Sequence, residues 1–222
     1  AALIEKIKSD LAKAAAGKVA YHGADLRKAA EIRDMVAFAQ KEIGAVDILV
    51  NNAGIQFVEA IDVYPEDKWD DIIAINLTGA FHATKAVLPS MQQRGWGRVI
   101  NVASVHGLVA SVNKSAYVAA KHGIVGLTKV TALENAQRGI TCNAICPGYV
   151  MTPLVQKQLD AHAAKKGMDN AAAIADFLAE KHPTRQFTTV EQLGALAVFL
   201  SSDGAANMTG VTLPMDGGWV AQ

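Results

Sequence analysis

Several short segments of this chain are apolar almost from end to end, and that pattern excludes most folds. Val46–Asn51, Arg98–Ala103, Ile140–Ile145 and Val211–Met215 carry little of the in-out alternation that a half-exposed strand requires. Strands of this kind lie in a parallel sheet covered on both faces. A fifth strand is expected near Lys18–Tyr21. Helical patterns fall between the runs, roughly at Leu26–Glu42, Pro65–Gln93, Ser115–Gln137 and Val190–Leu200. Strand and helix therefore alternate, which implies an α/β fold with a doubly wound parallel sheet.

One connection breaks the rhythm. The segment Thr152–Lys181 reads as two polar, amphipathic helices joined near Gly167, and it leaves its strand at Pro147-Gly148. An excursion of this length at the carboxyl end of a strand suits a substrate lid, here expected at about residues 151–188 of a single catalytic domain spanning residues 1–222. A solvated helical hairpin used for packing or subunit contact is the other reading.

The chemistry-bearing residues gather at the same ends of the strands. Ser104 follows the run Arg98–Ala103, where open α/β sheets bind their ligands. Tyr117 and Lys121 stand four apart at the start of a helix, so both side chains project from one face. Oxidising an alcohol by hydride transfer needs a base for the hydroxyl proton, and an unperturbed tyrosine, with a pKa of about 10, is protonated at neutral pH. The ammonium of Lys121 is expected to favour the Tyr117 phenolate, and its three N–H donors can hold a cofactor ribose. Ser104 can hydrogen-bond the substrate oxygen. The Tyr-x-x-x-Lys pair alone is weak evidence, and its bland reading is a helix-surface pair.

Charge and cysteine usage narrow the class. Lys plus Arg and Asp plus Glu both number 21, so no electrostatic footprint for nucleic acid or an anionic membrane is visible. No apolar run reaches the length of a membrane span, and the start Ala1-Ala-Leu-Ile-Glu-Lys-Ile-Lys lacks the apolar stretch of a signal peptide, so a cytoplasmic protein is expected. Cys142 and Cys146 share one expected strand, where four residues separate their α-carbons by about 13 Å, too far for a disulfide. No Cys or His pair has zinc-site spacing, and no metal is expected.

Taken together, Asn51-Asn52-Ala53-Gly54 after a strand, Asn76 in Ala-Ile-Asn-Leu-Thr-Gly, Ser104, the Tyr117 and Lys121 pair, Pro147-Gly148 and the terminal Asp216-Gly217-Gly218-Trp219 resemble the short-chain dehydrogenase family over nearly the whole chain. The resemblance implies a Rossmann-like sheet, an oxidoreductase, and a catalytic tetrad of Asn76, Ser104, Tyr117 and Lys121. In it Asn76 kinks its helix and holds a water on the proton path from the lysine. It also implies NAD as cofactor and a homotetramer, with the helices at Pro65–Gln93 and Ser115–Gln137 across one interface and the carboxyl-terminal strand across another. Asp25 and Leu26 would meet the adenine, and Asn52, Ala53 and Gly54 the ribose alongside Tyr117 and Lys121. Pro147, Gly148, Val150 and Thr152 would meet the nicotinamide and its phosphate.

A second layer resembles the bacterial D-3-hydroxybutyrate dehydrogenase branch of that family, in which polar residues hold a small carboxylate substrate. The matching positions are Gln56, His106, Lys114 and Gln158, with Tyr149 where that branch usually has tryptophan. A cation and neutral donors converging from different loops suit a carboxylate better than an apolar ketone. An enzyme for uncharged alcohols or ketones, and a non-catalytic oligomeric scaffold, remain the alternatives. The family's opening strand, Thr-Gly-x-x-x-Gly-x-Gly turn, helix and second strand have no counterpart here, so the sheet is expected to lack its first two strands. The polypeptide of this sequence is accordingly expected to bind NAD poorly and to aggregate through unpaired edges.

Overall fold

A computed structural model describes residues 2–14 and 17–221, with the side chain of Leu154 outside the description. Its centre is a four-stranded, all-parallel sheet. The strands are β1 (Ile48–Asn51), β2 (Gly97–Val102), β3 (Ile140–Pro147) and β4 (Thr212–Met215), in spatial order β1-β2-β3-β4. Every residue of β3 is buried, including Thr141 and Asn143, the latter donating from Nδ2 to Met208 O at 2.7 Å. The registers Val99↔Cys142 and Ile100↔Asn143 set neighbouring side chains on opposite faces.

Helices cover both faces. The helices are α1 (Ala2–Ala14), α2 (Ala29–Glu42), α3 (Glu66–Ile73), α4 (Gly79–Arg94), α5 (Ser115–Asn135), α6 (Pro153–Lys166), α7 (Asn170–Ala179) and α8 (Val190–Ser201). On one face Val36 of α2, Val87 and Met91 of α4, and Ala132 of α5 close over Val99, Ile140 and Cys142. On the other, Leu200 of α8 packs with Ile100 and Ile145. This is the doubly wound, Rossmann-like arrangement the sequence pattern predicts, with four of the expected strands in place.

The segment Lys18–Tyr21 is not a strand. A strand exists only by pairing, and among the described residues none pairs with this segment; Lys18 instead binds the end of α2, its Nζ 2.8 Å from Glu42 O. The outer edge of β1 likewise has no strand partner among the described residues, with Ile48 43% and Val50 47% exposed. Helix α2 starts at Ala29 rather than at Leu26, because Asp25 folds the chain into a turn: its Oδ1 accepts from Arg27 N at 3.0 Å and its carbonyl from Lys28 N at 2.9 Å. The expected helix Pro65–Gln93 is α3 and α4 joined by one turn of π-helix, Ala74–Thr78, that carries Asn76. Such bulges re-aim a side chain within a helix.

The long connection after β3 carries the two expected helices, α6 and α7, joined near Gly167. Thr152 caps α6, its Oγ1 accepting from Val155 N at 3.3 Å, and Gly167 ends it in the left-handed conformation. Asp176 of α7 accepts from His162 of α6 at 2.7 Å and pairs with Lys166, tying the two helices together. Both cysteines are free and buried. Among the described residues no helix is long and apolar enough to cross a membrane.

Candidate active site

The carboxyl ends of all four strands open onto one region. β1 delivers Asn52 and Gly54, β2 delivers Ser104, β3 delivers Gly148 and Tyr149, and β4 delivers Trp219. Ser104 leaves β2 into a single 3-10 turn, Val105–Gly107, where its Oγ accepts from His106 N at 3.1 Å. Gly107 lets this turn lie on the first turns of α5, since a Cβ there would come within 2.6 Å of Lys121 O. Ser104, Tyr117 and Lys121 are thereby brought to a common cavity wall.

The fourth member arrives from the π-turn. Asn76 is buried and clamps the loop after β1: Ile55 N donates to its Oδ1 at 2.9 Å and its Nδ2 donates to Ile55 O at 2.9 Å. The amide thus fixes the position of Gly54 and Ile55. A Cβ added at Gly54 would lie at ordinary contact distance, 3.5 Å from Asn76 Oδ1 and 3.8 Å from Lys121 Nζ, which places the Gly54 backbone beside both side chains.

Electrostatically the pair on α5 differs from expectation. Burial raises the pKa of Tyr117, with hydrogen bonding to Ser104 pulling the other way. Burial also lowers Lys121, to about 8. Lys121 Nζ donates to Val102 O at 2.7 Å and lies 5.6 Å from the centre of the Tyr117 ring. The ammonium is therefore directed at a strand carbonyl and the ring rather than at the phenol oxygen, and desolvation outweighs the lowering by Ser104. The buried phenol is the form suited to giving a proton to a ketone, and alcohol oxidation gains as pH rises.

Two kinds of space meet at Ser104 and Tyr117. The larger is a cavity of about 340 Å³ whose wall includes Asn52, Gly54, Lys121, Pro147, Gly148, Val150 and Thr152. It shares Asn52 and Val102 with a second cavity of about 210 Å³ containing Leu26, Ala53, Asn76 and Gly79. Of the residues expected to meet a cofactor, all but Asp25 line these two spaces. Asp25 lies outside both walls, ion-paired to Arg27 at 2.9 Å, a contact that lowers its carboxyl to about 2. The concave, partly apolar walls, with the Lys121 ammonium and the Asn52 amide among them, fit the ribose-nicotinamide end of a dinucleotide.

The smaller space is about 60 Å³, and Gln56, His106, Lys114, Tyr149 and Gln158 all line it. A parallel bridge between Glu59 and Lys114, with Glu59 N donating to Asn113 O at 2.9 Å, draws the loop after β1 to the start of α5. Gln158 Nε2 donates to Gln56 Oε1 at 3.1 Å, closing the helical excursion onto that loop. Lys114 Nζ is 3.4 Å from His106 Nε2. Burial, reinforced by the Lys114 charge, depresses His106 to about 4, so its imidazole is neutral and Lys114 is the cation of the cavity. Lys114 is itself lowered by burial.

Sequence reasoning did not single out Trp219 or His182 as site residues. Trp219 lines the small cavity, its ring 5.4 Å from that of His106 and 5.0 Å from that of Tyr149. His182 is fully buried behind it. The Asp216-Gly217-Gly218 turn before Trp219 was the available signal, because consecutive glycines beside a strand end let backbone approach a site closely.

The short chain dehydrogenase family model matches residues 1–163. The chain is 62% identical over 216 residues to the D-beta-hydroxybutyrate dehydrogenase of Cupriavidus necator, covering 97% of this chain and 84% of that protein. It is 51% identical over 219 residues to the protein of the same name from Rhizobium meliloti, covering 99% and 85%. Among solved structures, a gluconate 5-dehydrogenase from Burkholderia cenocepacia in complex with NADP and tartrate superposes with a TM-score of 0.81 at 34% identity, over 89% of this chain and 74% of that one. This chain belongs to the short chain dehydrogenase family.

Proposed function

We propose that this oxidoreductase interconverts D-3-hydroxybutyrate and acetoacetate with NAD, through a tetrad of Asn76, Ser104, Tyr117 and Lys121. The observation that carries the reading is the small cavity: five residues from separate segments line a space of about 60 Å³ that also touches Ser104 and Tyr117. Relatives at 62% and 51% identity bearing the hydroxybutyrate dehydrogenase name support it.

In this reading Lys114 pairs with the substrate carboxylate, and Gln56, Gln158 and neutral His106 hydrogen-bond it. Ser104 holds the reacting oxygen, and Tyr117 takes its proton in oxidation or returns it in reduction. NAD, when bound, supplies the hydride acceptor at its nicotinamide. Pro147, Gly148, Val150 and Thr152 would hold that end, with Asn52, Ala53, Gly54, Tyr117 and Lys121 along the ribose and Asp25 with Leu26 toward the adenine. Asn76 fixes the Gly54 loop and, by family resemblance, a water on the proton path from Lys121. The helices α6 and α7 act as the substrate lid, Gln158 being the residue that closes on Gln56. Exposed apolar side chains on α5, Val130 and Leu133, are suited to contact between subunits, and we propose a homotetramer.

The test is steady-state NADH formation with each enantiomer of 3-hydroxybutyrate and with neutral secondary alcohols. The proposal expects strong preference for the D acid. A protein that leaves the acid untouched and works on bulky uncharged ketones refutes it.

A further inference from the structure

We infer that His182 is a positioning residue for the substrate cavity, locking Tyr149 and the Trp219 loop in place from behind without touching substrate. The inference rests on the hydroxy-acid reading for its kinetic consequence, though not for its geometry.

His182 follows the end of α7, has no exposed surface, and makes two directional contacts. Its Nε2 lies 2.9 Å from Tyr149 N, and its Nδ1 lies 3.0 Å from Gln186 O. The first partner can only donate and the second can only accept. The ring is therefore the neutral tautomer with its proton on Nδ1. The imidazole also stacks on the Tyr149 ring at 5.2 Å with 12° between the planes, and meets the Trp219 ring edge-on at 5.8 Å.

The backbone around the ring is shaped to admit it. A Cβ at Gly148 would come within 2.5 Å of His182 Nε2, and one at Gly217 within 2.7 Å of Nδ1. Gly217 holds φ at +63° and its carbonyl accepts from Thr184 N at 3.1 Å. The exit of β3, the return of the helical excursion and the terminal turn thus converge on one buried ring. Two of them carry the aromatic walls of the small cavity, Tyr149 and Trp219.

Burial favours the neutral form that this layout needs, outweighing the Gln186 carbonyl and, after it, the nearby carboxylate of Asp216, which both act the other way. Both Asp216 oxygens are engaged by the terminal turn, accepting from Gly218 N at 3.0 Å and Val220 N at 2.9 Å. Asp216 therefore braces the turn and leaves the imidazole to Tyr149 and Gln186.

The experiment compares His182→Leu with His182→Gln. Glutamine can accept from Tyr149 N–H and donate to Gln186 O, as the neutral imidazole does; leucine can do neither. His182→Leu is expected to raise KM for D-3-hydroxybutyrate about tenfold, with kcat and KM for NAD within about twofold, and His182→Gln to restore most of the loss. In parallel, hydrogen exchange of the Tyr149 amide, read by NMR against the β3 amide of Ala144, should lose protection in His182→Leu alone. Unchanged KM and unchanged Tyr149 protection in His182→Leu overturn the inference, as does equal loss of protection at Ala144, which would mark general loosening. Should leucine prevent folding, failure of His182→Gln to keep Tyr149 protected overturns it too. If wild-type protein ignores hydroxybutyrate, the reaction reading falls, and the exchange measurement still decides the positioning role.

Discussion

The two spaces that meet at Ser104 and Tyr117 are built by different means. The larger is walled by strand ends, glycines and small apolar side chains, so its shape follows from where the backbone runs. The smaller is made of side chains from separate segments, with two amide groups, an imidazole, an ammonium and the rings of Tyr117, Tyr149 and Trp219 around a volume of about 60 Å³. A backbone-built space is generic and suits a ligand shared by many enzymes. A side-chain-built one is particular and sets which substrate is accepted. Substitutions should accordingly separate: changes at the shared wall remove chemistry, and changes in the small space alter substrate preference.

The largest effect is expected at the shared wall. Tyr117→Phe removes the one proton-transferring hydroxyl and should lower turnover by about 10²- to 10⁴-fold, leaving NAD affinity nearly unchanged. Single-turnover rates with equilibrium titration of NAD measure both, and a variant retaining a tenth of the activity would break the comparison at its centre.

Lys121→Met should also cost about 10²-fold in rate, with weakened NAD binding because the ribose donor is gone. It carries a stability signature of opposite sign. The folded-state pKa of Lys121 is lowered from 10.5 to about 8. The cost of holding it charged is therefore fully present below pH 8 and is relieved as pH rises from 8 toward 10.5, where the unfolded chain binds more protons. That relief is on the order of 3 kcal/mol, and the methionine variant lacks it. Denaturant midpoints at pH 7 and 10 should show the variant's stability advantage shrinking with pH; a constant difference would mean that Lys121 titrates normally.

The parallel sheet and its covering helices were legible because largely apolar runs separated by helical patterns leave a chain few options. The small cavity was legible only through the resemblance to the hydroxybutyrate branch, which pointed to Gln56, His106, Lys114 and Gln158; taken singly, each reads as an ordinary polar residue of a loop or helix. Other features depend on partners distant in sequence. Lys18–Tyr21 has the composition of a strand but no strand to pair with among the described residues, so it stays irregular. The break in the helix at Asn76 was expected from the family resemblance, but its form, a π-turn whose amide clamps Ile55 21 residues away, depends on a partner that the local sequence does not name. The raised pKa of Tyr117 likewise reflects burial, which spacing does not report.

In the small space, Lys114→Ala should raise KM for the hydroxy acid by about tenfold to a hundredfold, the range for a charge-assisted hydrogen bond, while kcat falls less. Preference for the acid over a neutral secondary alcohol should drop by the same factor. If that preference survives, Lys114 belongs to the surface of α5, and the comparison loses its only cation.

The smallest expected effect is an absence of change with pH. An ordinary histidine in a carboxylate site would charge near pH 6.5 and tighten acid binding as pH falls through that value. His106 is depressed to about 4 by burial and by Lys114 beside it, so it stays neutral from pH 5.5 to 7.5, and Lys114 remains the sole charge holding the acid. The inhibition constant of a non-reacting short carboxylate should therefore be flat, within about twofold, over that window. His106→Asn, which keeps a neutral polar group, should leave the profile flat and weaken binding only modestly. An inflection near pH 6.5 in the wild type that disappears in His106→Asn would place the imidazole in solvent and give the cavity a second cation.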